Sequence, residues 1–274
     1  MTIKTLLSKH SFSNSLKTFA LLGLAICLSN ASFAQSAEEK GLQIAKERKV
    51  RDLGWGDSNA DMSMILRNSQ GDETERKIRI KSLEVSGDGD KALTIFDQPK
   101  DVKGTAFLNF SHAIEPDDQW MYLPALKRVK RIASRNKSGP FMGSEFAFED
   151  MSSFELEKFS FKYLRNEKYE GQNTFVVEQI PVDPNSGYTK QISWVDTQHY
   201  RVLKLEFYDR KGSLLKLLSM HDYKLYQDKY WRPLRLEMYN EQNGKSTELV
   251  THELQFNIGL EDSDFDQSSL KRAR

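Results

Sequence analysis

From Asp61 onward the chain is written in short runs that alternate apolar and polar residues, each run closed by a turn. "DMSMILRN" places Met62, Met64 and Leu66 on one side, and "ERKIRIKSLEVS" sets Ile78, Ile80 and Ser82 against charged neighbours. "ALTIFDQP", "GTAFLNFS" and "DQWMYLP" continue the pattern. Later come "YTKQISWVD", "RVLKLEFYD", "LLKLLSMHDYKLYQ", "YWRPLRLEMYNEQ" and "ELVTHELQFNI". Short connections, with Gly212 and Gly244 free to adopt positive φ, join such strands antiparallel. Half-polar strands bury one face and wet the other. This periodicity predicts a mainly β protein built on a large antiparallel sheet. Two other pieces interrupt it: a helix over 36–50, N-capped by Ser36, with Leu42, Ala45 and Lys49 on a shared face near Val50, and a helical or irregular insertion near 139–158.

The first 34 residues read as a secretory signal peptide. Lys4, Lys9, His10 and Lys17 form a positive leader, "FALLGLAICL" is an apolar run, and Ser32 and Ala34 are the small pair before a cut. The run is too short for the ~20 apolar residues of a membrane span. Cys27 follows Ile26, where lipid attachment would need a small residue, so cleavage near Ala34 is the expectation. Removing 34 of the 274 residues leaves 240, enough for one domain over 35–274. It also removes the only cysteine, which rules out thiol catalysis and Cys-ligated metals and suits a periplasm. Three lysines go with it, leaving 37 Lys and Arg against 39 Asp and Glu, a net charge of −2. Export and that balance exclude nucleic acid as a partner.

No catalytic or metal set emerges, and no cofactor is implied. His112, His199, His221 and His252 lack metalloenzyme spacing, no HExxH occurs, and Ser144 in "FMGSE" is not in a GxSxG elbow. Asp88–Asp90 reads as a turn and "DSDFD" as the cap of a short C-terminal helix. The charge that stands out is a basic run: Lys127, Arg128, Lys130, Arg131, Arg135 and Lys137, with no acid between Asp118 and Glu145. Helical spacing would group Leu126, Val129, Ile132 and Ala133 within about 120° of arc, as in a membrane-surface helix. β-branched Val129 and Ile132, and Pro124 before them, pull the other way, toward a charged edge strand, and the residues alone leave both readings open. Aromatic and Met residues crowd the neighbouring stretch, either as core or as a soft lining for an apolar ligand.

"GTAFL", "DDQWMYLPALKRVKRIAS", "SGPFMGSEFAFEDMSS", "NSGYTKQISWVD", "YRVLKLEFYDRKG" and "LEDSDFDQSSLKR" together resemble the outer membrane lipoprotein-sorting proteins of LolA-like fold, in order from Asp52 to Arg272. Pro140 departs from the pattern, where a small residue is expected. The resemblance implies a LolA/LolB-like fold: a curved antiparallel sheet forming a half-open β-barrel, with the N-terminal helix and a helical lid over its open side. It implies an apolar cavity for the acyl chains of a lipoprotein or another lipid, and a periplasmic, non-catalytic carrier that touches membranes only transiently. It places the chain in a transporter-associated branch, with an RND/MMPL-type inner-membrane transporter as the expected partner. On this reading Trp120, Tyr122, Phe141, Met142, Phe146 and Phe148, with Met62 and Met64, belong at the cavity or its lid, and "SGPFMGSEFAF" is the lid. Lys127, Arg128, Lys130 and Arg131 sit on a strand beside the cavity, able to meet head groups or a partner. The alternative is a periplasmic sensor of the RseB-like half-barrel type.

Overall fold

The computed structural model describes residues 35–272. The expected leader, its cleavage site and Cys27 lie outside the described residues.

One thirteen-stranded antiparallel sheet carries the fold. The strands are β1 (Asp57–Arg67), β2 (Glu73–Leu83), β3 (Lys91–Gln98), β4 (Ala106–Phe110), β5 (Asp118–Leu123), β6 (Arg128–Ile132), β7 (Phe159–Tyr169), β8 (Gln172–Pro181), β9 (Lys190–Asp196), β10 (Val202–Tyr208), β11 (Leu214–Tyr226), β12 (Tyr230–Asn240) and β13 (Ser246–Phe256). Their order across the sheet is β6-β5-β4-β3-β2-β1-β13-β12-β11-β10-β9-β8-β7. The chain therefore meanders outward from β1 to one edge and crosses to the far edge through residues 133–158. It then meanders back until β13 pairs with β1. Edge strands β6 and β7 do not pair, so the sheet is an open half-barrel. Bulges at Asp61/Met62, Lys77/Ile78, Val202/Lys204 and Tyr163/Arg165 add the local twist that a curving sheet needs.

Strand alternation sorts the side chains into two cores. On the inner face, Met62, Met64, Ile78, Phe96, Phe107, Met121, Leu205, Leu218 and Met238 join one cluster with Phe141 and Phe146 of the crossing segment. On the outer face, Leu93, Ile95, Ala106 and Leu108 pack under Phe265 and Leu270 of the C-terminal tail, which ends in α2 (Gln267–Arg272). Asp266 caps that helix by accepting from the Ser269 amide at 2.6 Å.

The N-terminal helix α1 spans Ala37–Asp52, with Ser36 and Glu39 forming a capping box. Its buried positions are Gly41, Ile44 and Ala45, while Leu42 and Val50 are exposed. The packed face is thus rotated by about one residue from the expected one. The reason is Gly41, where a Cβ would stand 2.7 Å from the Tyr163 amide and 2.8 Å from that of Lys162. Only glycine lets α1 seat against the backbone of β7. The pair β7–β8 falls outside the strands expected from the sequence, although Phe159, Phe161 and Tyr163 alternate and Gly171 turns the hairpin.

Candidate ligand cavity

Between the inner face of the sheet and the crossing segment lies a cavity of about 850 Å³, near the upper end of the ~300–1,000 Å³ usual for small-ligand sites. Ile80, Phe107, Leu205, Leu218, Leu236 and Leu249 line it from the sheet, and Phe146, Met151 and Phe154 from the crossing segment. Arg48 reaches it from α1. Two loops supply exposed parts of the lining: Ile114 is 80% exposed and Val182 61%.

The crossing segment contains four 3₁₀ turns, Ser134–Asn136, Phe141–Gly143, Phe148–Met151 and Leu156–Lys158, and not a regular helix. Its first part is fastened to the sheet by polar contacts from five strands. Arg76 donates to the Met142 carbonyl at 2.6 Å and Gln119 to that of Phe148 at 2.9 Å. Lys216, 3% exposed, donates to the Glu145 carbonyl at 2.9 Å and pairs with Asp150 at 2.7 Å. Asn240 and Thr247 hold the Glu145 carboxylate and amide at 2.7 and 3.0 Å. Tyr188 donates its hydroxyl to Asp150 at 2.9 Å; burial, then Asp150 and Glu149, holds that phenol well above its ordinary pKa, so it remains a donor. Phe141, fully buried, packs on Phe96, Phe107 and Phe148 with ring centres 6.0, 5.0 and 5.6 Å away. These contacts make the stretch a strap.

Two acids of the lining are shifted by burial. Asp90 is pushed up to about 6, although it accepts from the Val85 amide and Lys49 is near. Glu149 is raised first by burial and then by Asp150, against its bonds from Ser186 and Gly187.

Of the residues expected at the cavity or lid, Phe146 lines it. Phe141, Met142, Phe148, Met62 and Met64 belong to the inner-face core around it. Trp120 and Tyr122 do not: they pair with Leu108 and Ala106 and pack in the outer cluster near α2. A strand sends neighbours to opposite faces, so the Met121 that enters the inner core excludes the two aromatics beside it. The basic run forms edge strand β6, preceded by Lys127 in a left-handed turn. Lys127, Arg128, Lys130 and Arg131 are exposed and none lines the cavity; Arg131 pairs with Asp118. Lys137, further along the run, does line it and pairs with Asp183 at 2.6 Å. Sequence reading passed over Arg48 and Lys216. Both carry a usable signal, a cation at an inward position: Arg48 follows Gly41, Ile44 and Ala45 at helical spacing, and Lys216 alternates with Leu218 and Met220.

An open antiparallel half-barrel, strapped across its concave face and enclosing an apolar cavity, is the architecture of LolA-like proteins. A family model described as "Uncharacterized protein" matches residues 88–272. A crystal structure from Vibrio parahaemolyticus, assigned as an outer membrane lipoprotein-sorting protein domain, is 66% identical to this chain. It covers 86% of this chain and 100% of its own, with a TM-score of 0.85. A DUF1329 family protein from Desulfovibrio piger is 25% identical over 86% of this chain and 99% of its own, with a TM-score of 0.81. A LolA superfamily protein from Nitrosomonas europaea shares the fold at 19% identity, over 86% of this chain and 100% of its own, with a TM-score of 0.67. No curated protein matches the chain. The chain belongs to the outer membrane lipoprotein-sorting protein family of LolA-like fold.

Proposed function

We propose that the protein is a periplasmic carrier that shelters the acyl chains of a lipoprotein or other lipid in its cavity and moves them toward the outer membrane. Residues 35–274 would act as one carrier domain after cleavage near Ala34. An RND/MMPL-type transporter of the inner membrane would be the partner, and the exposed cations of β6 would meet head groups or that partner. The function is transfer without catalysis. One observation carries this reading: an apolar cavity of about 850 Å³ in a chain 66% identical to a domain assigned to outer membrane lipoprotein sorting. Each methylene kept from water is worth about 0.8 kcal/mol. Lining by Met and Phe, which adapt to irregular shapes, suits a chain that must later leave.

The test is to purify the protein from its native periplasm and identify by native mass spectrometry what leaves with it. A bound acyl lipid or acylated protein is expected. A protein partner over an empty cavity would instead favour an envelope sensor.

A further inference from the structure

Among the described residues, five cations line the cavity: Arg48, Lys91, Lys137, Lys158 and Arg232. Four have a carboxylate partner. Lys91 pairs with Asp262, Lys137 with Asp183, Lys158 with Asp117, and Arg232 with Asp52. Arg48 differs. Among the described residues its guanidinium has neither an ion pair nor a hydrogen bond. Tyr223 and then Asp52, one helical turn on, are the groups that favour its charge, and Asp52 is engaged by Arg232 at 2.5 Å. Burial is the largest influence on Arg48 and holds its pKa below the ordinary arginine value.

A partly desolvated charge without a partner is unfavourable. Stacking offsets part of this: the guanidinium carbon lies 4.0 Å from the centre of the Phe154 ring. A guanidinium stacked by its face keeps its N–H edges free, in the fork geometry that fits a carboxylate or phosphate. The position is also built into the fold. Arg48 continues the side of α1 that carries Gly41, Ile44 and Ala45, and half-buried there it reaches the cavity lining.

We propose that Arg48 is the anchor of an anion site inside the cavity, so that the ligand is an anionic amphiphile whose carboxylate or phosphate pairs with Arg48 while its acyl chain lies on the apolar lining. The site rests on the carrier reading of the cavity and narrows its ligand class. Neutral acyl chains should be held by the lining alone. Chains with an acidic head gain a charge-assisted pair, and release requires that pair to break.

The test uses protein purified from its periplasm and stripped of lipid. Displacement of the neutral fluorophore N-phenyl-1-naphthylamine is measured with palmitate, palmitoyl-lysophosphatidate, 1-hexadecanol and monopalmitoylglycerol. The two anions are expected to bind about tenfold tighter than the two neutral compounds, the scale of one charge-assisted hydrogen bond. Arg48→Met should erase that advantage and leave the neutral affinities unchanged, while Arg48→Lys should keep part of it. A greater gain for palmitate marks a free fatty acid as the source, and a greater gain for lysophosphatidate marks a phospholipid. Equal binding of anions and neutral chains by the wild type, or an advantage that survives in Arg48→Met, overturns the proposal. If no acyl compound displaces the probe from either protein, the carrier reading falls as well, which separates the two failures.

Discussion

Asp90 shows how a single residue of the cavity can set the protein's response to pH. Its carboxyl titrates at about 6 in the folded chain against an ordinary 3.8, because burial penalises the charged form. Between those values the folded protein holds a proton that the unfolded chain has lost. Stability from this group is therefore highest below about pH 4 and falls as pH rises through 6. A rise from 3.8 to about 6 is worth about 2–3 kcal/mol. Asp90→Asn keeps an acceptor for the Val85 amide and has no charge to bury. Urea unfolding should find the variant more stable than wild type by about 2 kcal/mol at pH 7.5 and indistinguishable near pH 4. Equal stability at both values would mean that water reaches the carboxylate. Asp88, two residues away, is held down to about 2 by His112 and the Ala113 amide. Its contribution has the opposite sign: it is present above about pH 4 and is lost below it, outside the window of Asp90.

Among the elements, β6 is an edge strand whose three cations are all exposed. Its cations divide between the faces, since Val129 and Arg131 lie opposite Tyr122 and Trp120 while Lys130 lies opposite Met121. A charged edge resists pairing with other chains, whatever else it does. Anionic surfaces attract such a stretch by about 1 kcal/mol per cation near the surface. Replacing Lys127, Arg128, Lys130 and Arg131 with Gln should reduce sedimentation with phosphatidylglycerol vesicles at least several-fold at low salt. It should leave probe binding in the cavity unchanged. Unaltered sedimentation would reduce the cations to edge protection. The strand itself was not decided by its residues, since helical spacing competed with β-branched Val129 and Ile132 until the family likeness favoured a strand; most of the others were legible, because period-two alternation survives in any half-buried sheet. Two things were not. Strands β7–β8 are screened by a dense polar surface, "LRNEKYEGQN", which dilutes the alternation of Phe159, Phe161 and Tyr163. The inward register of β5 could not be fixed either: Trp120, Met121 and Tyr122 are all apolar, so either face could be read as buried. Only pairing with β4 sends Met121 inward and the two aromatics toward α2.

At the scale of the whole molecule, the open barrel poses one mechanical question: which part moves when an acyl chain enters. The crossing from β6 to β7 is the natural lid by sequence, being long, irregular and rich in Phe and Met. Its contacts oppose that role over residues 141–151. Lys216 and Asp150 are both nearly buried, and losing one partner of such a pair costs about 3–5 kcal/mol. Phe141 would have to leave a cluster of three rings. By contrast the lining loops at 113–117 and 182–185 expose Ile114 and Val182, with few backbone hydrogen bonds of their own. Opening there must part the Lys158–Asp117 and Lys137–Asp183 pairs but spares the more deeply buried Lys216–Asp150 pair and the Phe141 cluster, so it costs least at those loops. Hydrogen exchange followed by mass spectrometry can rank the segments directly. Peptides covering 141–151 should exchange nearly as slowly as β3 and β4, and those covering 113–117 and 182–185 far faster. Palmitate should slow the two loops and leave 141–151 unchanged. If 141–151 exchanges as fast as the loops, and palmitate alone protects it, the strap is a lid after all and its buried ion pair opens during loading. If the order holds, ligand enters past Ile114 and Val182 beneath a fixed strap, and variants that loosen the strap, such as Lys216→Met, should lose stability before they change the rate of loading.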